Sequence, residues 1–148
     1  MRTATGTNEL VIGKDYSKII LDSINGAQSS IYILMFVWKW RMRDPTSDIA
    51  LINQAILHAS KRGIKVYVFC NFSGMAEHLN TLGINAKAWQ KTKLMHAKGI
   101  LIDEKLLMVG SHNLTEPAMC FNVEVSALLY DVDVCQQFKR YFLSLWQS

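Results

Sequence analysis

Leu94-Met-His-Ala-Lys-Gly-Ile-Leu-Ile-Asp-Glu-Lys-Leu-Leu-Met-Val-Gly-Ser-His-Asn113 is the stretch of this 148-residue chain whose reading decides the fold. Its apolar residues fall into two short runs parted by Asp103-Glu104, the pattern of two strands, His96–Ile102 and Leu106–Val109, joined by a tight turn. His96 and Lys98 are two apart, so on a strand both side chains leave the same face. Asp103 sits at odd spacing from His96, at the far end of the strand, which suits a supporting hydrogen bond better than direct chemistry. Gly110 is expected to let the backbone turn sharply, bringing Ser111 and Asn113 back toward the strand that carries His96.

Working outward, Asp15–Asn25 has Ile19, Ile20 and Ile24 at helical spacing and stops at Gly26. Ser30–Trp38 reads as a strand buried on both faces. Thr46-Ser47-Asp48 offers N-cap chemistry to a helix bearing Ile49, Ile52, Ile56 and Ala59 on one face and ending at Lys61-Arg62-Gly63. A strand at Ile64–Cys70, a short helix near Met75–Leu82 and a strand at Ile84–Trp89 follow. Beyond the hairpin come a strand at Asn122–Tyr130 and a closing helix from Asp131 with Val134, Phe138, Phe142 and Leu145 inward. No repeat or linker divides the chain. Alternating helices and apolar strands predict one α/β domain, 1–148, with a mixed, largely parallel sheet covered by helices on both faces.

The residue types define a chemistry before any family is named. A neutral imidazole at His96 can attack phosphorus and leave as a phosphohistidine, dividing one hard displacement into two easier ones. Lys98 brings an ammonium charge, and Asn113 brings amide N–H donors, to the oxygens of a five-coordinate transition state.

The pattern H-x-K-x4-D-x6-G-S-x-N resembles the defining motif of the phospholipase D superfamily. Its six fixed positions arise by chance on the order of once in 10⁷ starting points. In length and layout the chain is similar to the small Nuc-type endonucleases and to mitochondrial relatives described as nucleases or cardiolipin hydrolases. The resemblance implies that Glu124, in Asn122-Val-Glu124, accepts a hydrogen bond from the other ring nitrogen of His96. It also implies a homodimer: only one motif is present, and a leaving oxygen needs a proton donor opposite the nucleophile. A two-fold axis would set the two His96 residues face to face. The catalytic set expected is therefore His96, Lys98, Asp103, Ser111, Asn113 and Glu124, with no cofactor and no metal. The activity expected is a metal-independent phosphodiesterase acting on DNA or RNA. A phospholipid hydrolase of the same chemistry and a non-catalytic nucleic-acid-binding module are the alternatives.

Trp38-Lys39-Trp40-Arg41-Met42-Arg43 interleaves aromatic and basic residues, which suits contact with single-stranded nucleic acid as well as it suits a core Trp38 beside solvated arginines. Lys87, Lys91 and Lys93 form a second basic cluster; Lys93, nearest the motif, is a candidate substrate contact, although such runs more often form a solvated loop. His58, His78 and His112 are expected to be surface or structural residues. A net charge of +4 accommodates a polyanion without demanding one. Cys70, Cys120 and Cys135 lie too far apart for a C-x-x-C pair, so free thiols are expected. The polar start Met1–Asn8 lacks the apolar core of a secretory leader, and Ile31–Trp38 is too short to span a bilayer. No stable membrane association and a cytoplasmic location are thus expected, with the periplasm or export as the alternative.

Overall fold

The computed structural model describes residues 7–148, so all but the last two residues of the polar start lie outside the described residues. The elements run β1 (Glu9–Ile12), α1 (Asp15–Asn25), β2 (Ser30–Met35), α2 (Asp48–Lys61), β3 (Lys65–Cys70), α3 (Ser73–Thr81), β4 (Asn85–Ala88), β5 (Lys98–Ile102), β6 (Leu106–Gly110), α4 (Glu116–Cys120), β7 (Val125–Leu129) and α5 (Val132–Trp146). They form one domain around a mixed seven-stranded sheet ordered β1-β7-β6-β5-β2-β3-β4.

The parallel share is smaller than the sequence suggested. Only β2–β3 and β3–β4, which are joined through helices, pair in parallel. β1–β7, β2–β5, β5–β6 and β6–β7 are antiparallel. For β5–β6 the cause is the tight turn at Asp103-Glu104: a hairpin returns the chain antiparallel, whereas a parallel neighbour needs a crossover of a dozen residues or more. Both turn residues take positive φ, +54° and +57°. β1 was missed because four residues, Glu-Leu-Val-Ile, carry too little pattern to separate a strand from a loop. The short α4 was also missed, although Thr115 caps it and Pro117 sits in its first turn.

Helices cover both faces, as expected. One core packs α1 to α4 against the sheet through Ile20, Ile24, Ile52, Ile56, Leu79 and Met119. The other lies under α5, where Phe142 and Cys135 meet Tyr32, Leu34, Phe69 and Leu101. β2 sits between β5 and β3 and is buried at every position, which accounts for its unbroken apolar run. Ser47 caps α2 by accepting from the Ala50 N–H at 3.2 Å, and Glu116 of α4 accepts from the Ile49 N–H and from the Ser47 hydroxyl. Cys70 and Cys135 are buried and Cys120 is half-buried, all as free thiols. Among the described residues no helix is long and apolar enough to cross a membrane.

Candidate active site

The register of β2 against β5 builds the site. Met35, the last residue of β2, faces Lys98, the first of β5, so Phe36 and His96 leave the sheet at the same edge. Their rings pack with centroids 4.4 Å apart. The Lys98 Nζ lies 3.2 Å from the His96 Nδ1, donates to the His96 carbonyl at 2.9 Å and stands 5.1 Å from the centre of the Phe36 ring. Two-residue spacing thus brings imidazole and ammonium together as expected, although His96 itself precedes the hydrogen-bonded strand and is exposed. Burial pushes the Lys98 ammonium below the ordinary lysine range, and the Glu124 carboxylate partly opposes the shift.

Asn113 reaches the same edge by a backbone zipper. The Leu114 N–H donates to the Val37 carbonyl at 3.1 Å, and the Lys39 N–H donates to the Leu114 carbonyl at 3.0 Å. The Asn113 Oδ1 accepts from the Val37 N–H at 3.0 Å. That bond fixes the amide, and its Nδ2 has no partner among the described residues, leaving two N–H donors available for an anionic oxygen.

Glu124 is 9% exposed and lies just before β7 rather than within it. One of its oxygens accepts from the Ser111 hydroxyl and the other from the Asn122 amide at 3.0 Å. Within the chain it makes no hydrogen bond to His96, so the ring contact that the resemblance implied is not formed here. The reason is geometric: the Ser111 hydroxyl stands against Glu124, and the Lys98 ammonium occupies the His96 Nδ1. Ser111 gives its one hydroxyl hydrogen to Glu124, and its Oγ also accepts from the Val125 N–H at 3.0 Å.

Asp103 lies at the other end of β5, away from this edge. Its carboxylate accepts from the backbone N–H groups of Gln28, Ser29 and Ser30 and from the Ser29 hydroxyl, at 2.7–3.1 Å. Burial alone would raise its pKa, but these donors more than offset that and hold it below the usual carboxylate range. The supporting role expected of Asp103 is therefore to pin the β5–β6 turn to the start of β2. Gly110 also works differently from expectation. It has no positive φ; a Cβ there would run into the Ser126 backbone across β6–β7, so glycine is required by close approach and not by a turn.

His112, the variable position of G-S-x-N, is 1% exposed. Its Nδ1 lies 2.7 Å from the Ser126 Oγ, its Nε2 lies 2.8 Å from the Gly13 carbonyl, and its ring stacks on Tyr16 at 4.1 Å. A carbonyl can only accept, so Nε2 carries the proton and Nδ1 takes the Ser126 hydroxyl proton. Burial lowers the His112 pKa and keeps the ring neutral. It is structural; His58 and His78 are exposed.

The aromatic–basic segment divides. Trp38 is 3% exposed and donates to the Asn53 Oδ1 at 2.8 Å, so most of its ring belongs to the core. Asn53 in turn donates to the carbonyls of Lys39 and Arg41, holding the segment against α2. Trp40 is half-buried against Trp38, while Lys39, Arg41, Arg43 and Lys93 are exposed. Two supports escaped the sequence reading. Phe36 was hidden in its apolar run, and Asn71 bridges the carbonyls of Phe36 and Met95 at 2.7 and 3.1 Å. A lone amide directly after a buried strand was the available signal for Asn71. Three apolar side chains border the edge in the open: Leu94 is 66%, Phe121 81% and Val123 99% exposed.

An exposed imidazole–ammonium pair with a fixed amide, held at one edge of a mixed sheet, defines a candidate anion-handling site. Residues 20–146 match the family described as cardiolipin synthase, PLD-like domain, and the chain belongs to that family. It is 27% identical over 134 residues to a protein named phospholipase D from Rickettsia conorii, covering 86% of this chain but 62% of that protein. The chain thus spans about three fifths of the length of that relative. Among solved structures, Nuc from Salmonella typhimurium superposes with a TM-score of 0.77 at 20% identity, covering 95% of each chain. NucT from Helicobacter pylori superposes with a TM-score of 0.74 at 22% identity, covering 96% of each. At those identities the likeness establishes the shared fold.

Proposed function

We propose that this chain hydrolyses phosphodiester bonds in nucleic acid through a covalent phosphohistidine at a site completed by a second copy of itself. The observation that carries the reading is the exposed His96 imidazole, seated on Phe36 with the Lys98 ammonium at its side and the Asn113 amide presented at the same edge. A ring nitrogen of His96 attacks phosphorus, and the P–O bond to the leaving group breaks. The leaving oxygen takes its proton from His96 of the second copy. That imidazole then removes a proton from water, the resulting hydroxide attacks phosphorus, and the P–N bond returns its electron pair to His96. Lys98 and Asn113 offset the oxyanion charge throughout. Because Glu124 makes no bond to the His96 of its own chain, its expected ring contact falls to the His96 of the second copy. The solved neighbours named Nuc and NucT, the exposed basic residues of the Trp38–Arg43 segment and the net positive charge support nucleic acid as substrate.

A phospholipid reading of the same chemistry has its own support: relatives named phospholipase D, and the exposed Leu94, Phe121 and Val123 beside the edge. One experiment separates the readings. Purified protein and its His96→Ala variant are given labelled single-stranded and duplex DNA, RNA and cardiolipin vesicles in EDTA. Cleavage of nucleic acid that His96→Ala abolishes, with acid-labile phosphate trapped on the wild type, is the expected result. Turnover of lipid alone transfers the assignment to a lipase, and binding without turnover makes the chain a binding module.

A further inference from the structure

We propose that the groove between Trp40 and Phe72 is a pocket for the nucleobase next to the scissile phosphate; this rests on the nucleic-acid reading above. The groove is lined by Trp38, Lys39, Trp40, Phe72, Met75 and His78. Both of its walls are tied by hydrogen bonds to the backbone of the site. On one side Asn71, the neighbour of Phe72, donates to the carbonyls of Phe36 and Met95, which flank the imidazole. On the other, the Lys39 N–H donates to the carbonyl of Leu114, the neighbour of Asn113. The groove is thus tied to the segments that present His96 and Asn113, and a strand whose phosphate rests there would lay its neighbouring base toward it.

Phe72 is the telling residue. It is 57% exposed and occupies the N-cap of α3 without making a side-chain capping bond. Serine, aspartate or asparagine would satisfy an N-terminal N–H there, so an exposed phenyl ring helps neither the helix nor the core. It does supply a flat apolar face to the groove that the half-buried Trp40 and Met75 also line, and every base has a π-face to lay against such a ring. Lys39 and His78 are exposed at the rim, and Arg41 and Arg43 continue the positive charge along the same segment. An aromatic floor inside a basic rim fits a base carried on a phosphate backbone better than a cationic or purely apolar ligand.

The test uses dinucleotides with a single phosphodiester bond, in ribose and deoxyribose forms, beside analogues with an abasic sugar on either side. Phe72→Ala, Phe72→Leu and Phe72→Trp are compared with wild type in kcat/KM, with melting temperatures confirming equal folding. The expected result is a loss of at least about fivefold for alanine and leucine on base-bearing substrate and near-full activity for tryptophan. On the abasic analogue that mimics the lost base, all four proteins should be equal. Equal losses on base-bearing and abasic substrates, or no loss with alanine, overturn the pocket while wild-type turnover leaves the nucleic-acid reading standing. A defect on phospholipid that leucine repairs would assign the groove to an acyl chain and also overturn it. Failure of wild type to cleave any dinucleotide removes the reading and the pocket together.

Discussion

Replacing Asp103 by alanine is expected to loosen the fold and leave the chemistry almost untouched. Asp103 and His96 are seven residues apart, roughly 20 Å along an extended strand, so the carboxylate is out of reach of any phosphate on His96. Its energetic contribution lies in four donors: the N–H groups of Gln28, Ser29 and Ser30, and the Ser29 hydroxyl. A hydrogen bond to a charged group contributes about 1.5–3 kcal/mol where water is excluded. Gln28 and Ser29 are exposed and would recover water, whereas Ser30 is buried and would not. The sum therefore falls to about 2–4 kcal/mol, with about 1 kcal/mol more because alanine tolerates the positive φ less well. At 2–4 °C per kcal/mol for a domain of this size, Asp103→Ala should melt roughly 6–20 °C below wild type. Asp103→Asn keeps one acceptor oxygen and the turn conformation and should lose about 1 kcal/mol. The pH dependence has a definite sign. The folded carboxyl titrates below its unfolded value, so its contribution is complete above the unfolded pKa and fades as pH falls through the folded one. Melts at pH 7 and in acid, paired with single-turnover rates at a temperature where all variants are folded, make the assay. An Asp103→Ala protein that melts like wild type yet has lost its cleavage step would refute this account and place Asp103 in the reaction.

Lys98→Met should lower kcat by about 10²–10³, the cost of removing one preorganised transition-state contact. Because burial lowers the Lys98 pKa, the alkaline limb of the rate profile should fall below the ordinary lysine range, and Glu124→Gln should move it lower still by withdrawing the opposing carboxylate. A limb that Glu124→Gln leaves in place would exclude Lys98 as its source. His112→Ala should cost about 2–4 kcal/mol, since it opens a cavity against Tyr16 and strands the Ser126 hydroxyl and the Gly13 carbonyl. With its folded pKa lowered, His112 contributes stability that is complete above the unfolded histidine value and lost as pH falls; denaturant titration from neutral to mildly acid pH should show this in wild type and not in the variant.

The hairpin, the buried β2 and the amphipathic α2 and α5 were legible because each carries its own period. The same-face placement of His96 and Lys98 follows from strand geometry alone. What escaped the sequence depends on contacts between distant segments. Nothing local in His112 tells that Gly13 and Ser126 close around it. Asn113 was expected as a donor, but that its carbonyl oxygen is taken by Val37, so that only its N–H groups face outward, required the β2 exit to be seen beside it. Trp38 and Trp40 share one basic segment, and only the buried Asn53 separates the core ring from the one beside the groove. The antiparallel pairing of β5 with β6 could have been anticipated from the short turn at Asp103–Lys105, which is too short for a crossover.

The motif itself divides into architecture and chemistry. Gly110 is there because Ser126 leaves no room for a side chain, and Asp103 because the turn must be pinned to β2. Ser111 spends its hydroxyl on Glu124 and Val125. Only His96, Lys98 and Asn113 present groups at the edge beyond what the fold consumes. A one-residue slip of β5 against β2 would carry both His96 and Lys98 to the opposite face of the sheet, so the residues that hold the register are as necessary to the site as His96 and Lys98 themselves. The spacing of the pattern is thus first a specification of a hairpin and its edge. On the proposed reading the chemistry falls to His96 and Lys98 beside the hairpin and to Asn113, which its bonds to the β2 exit bring to the same edge.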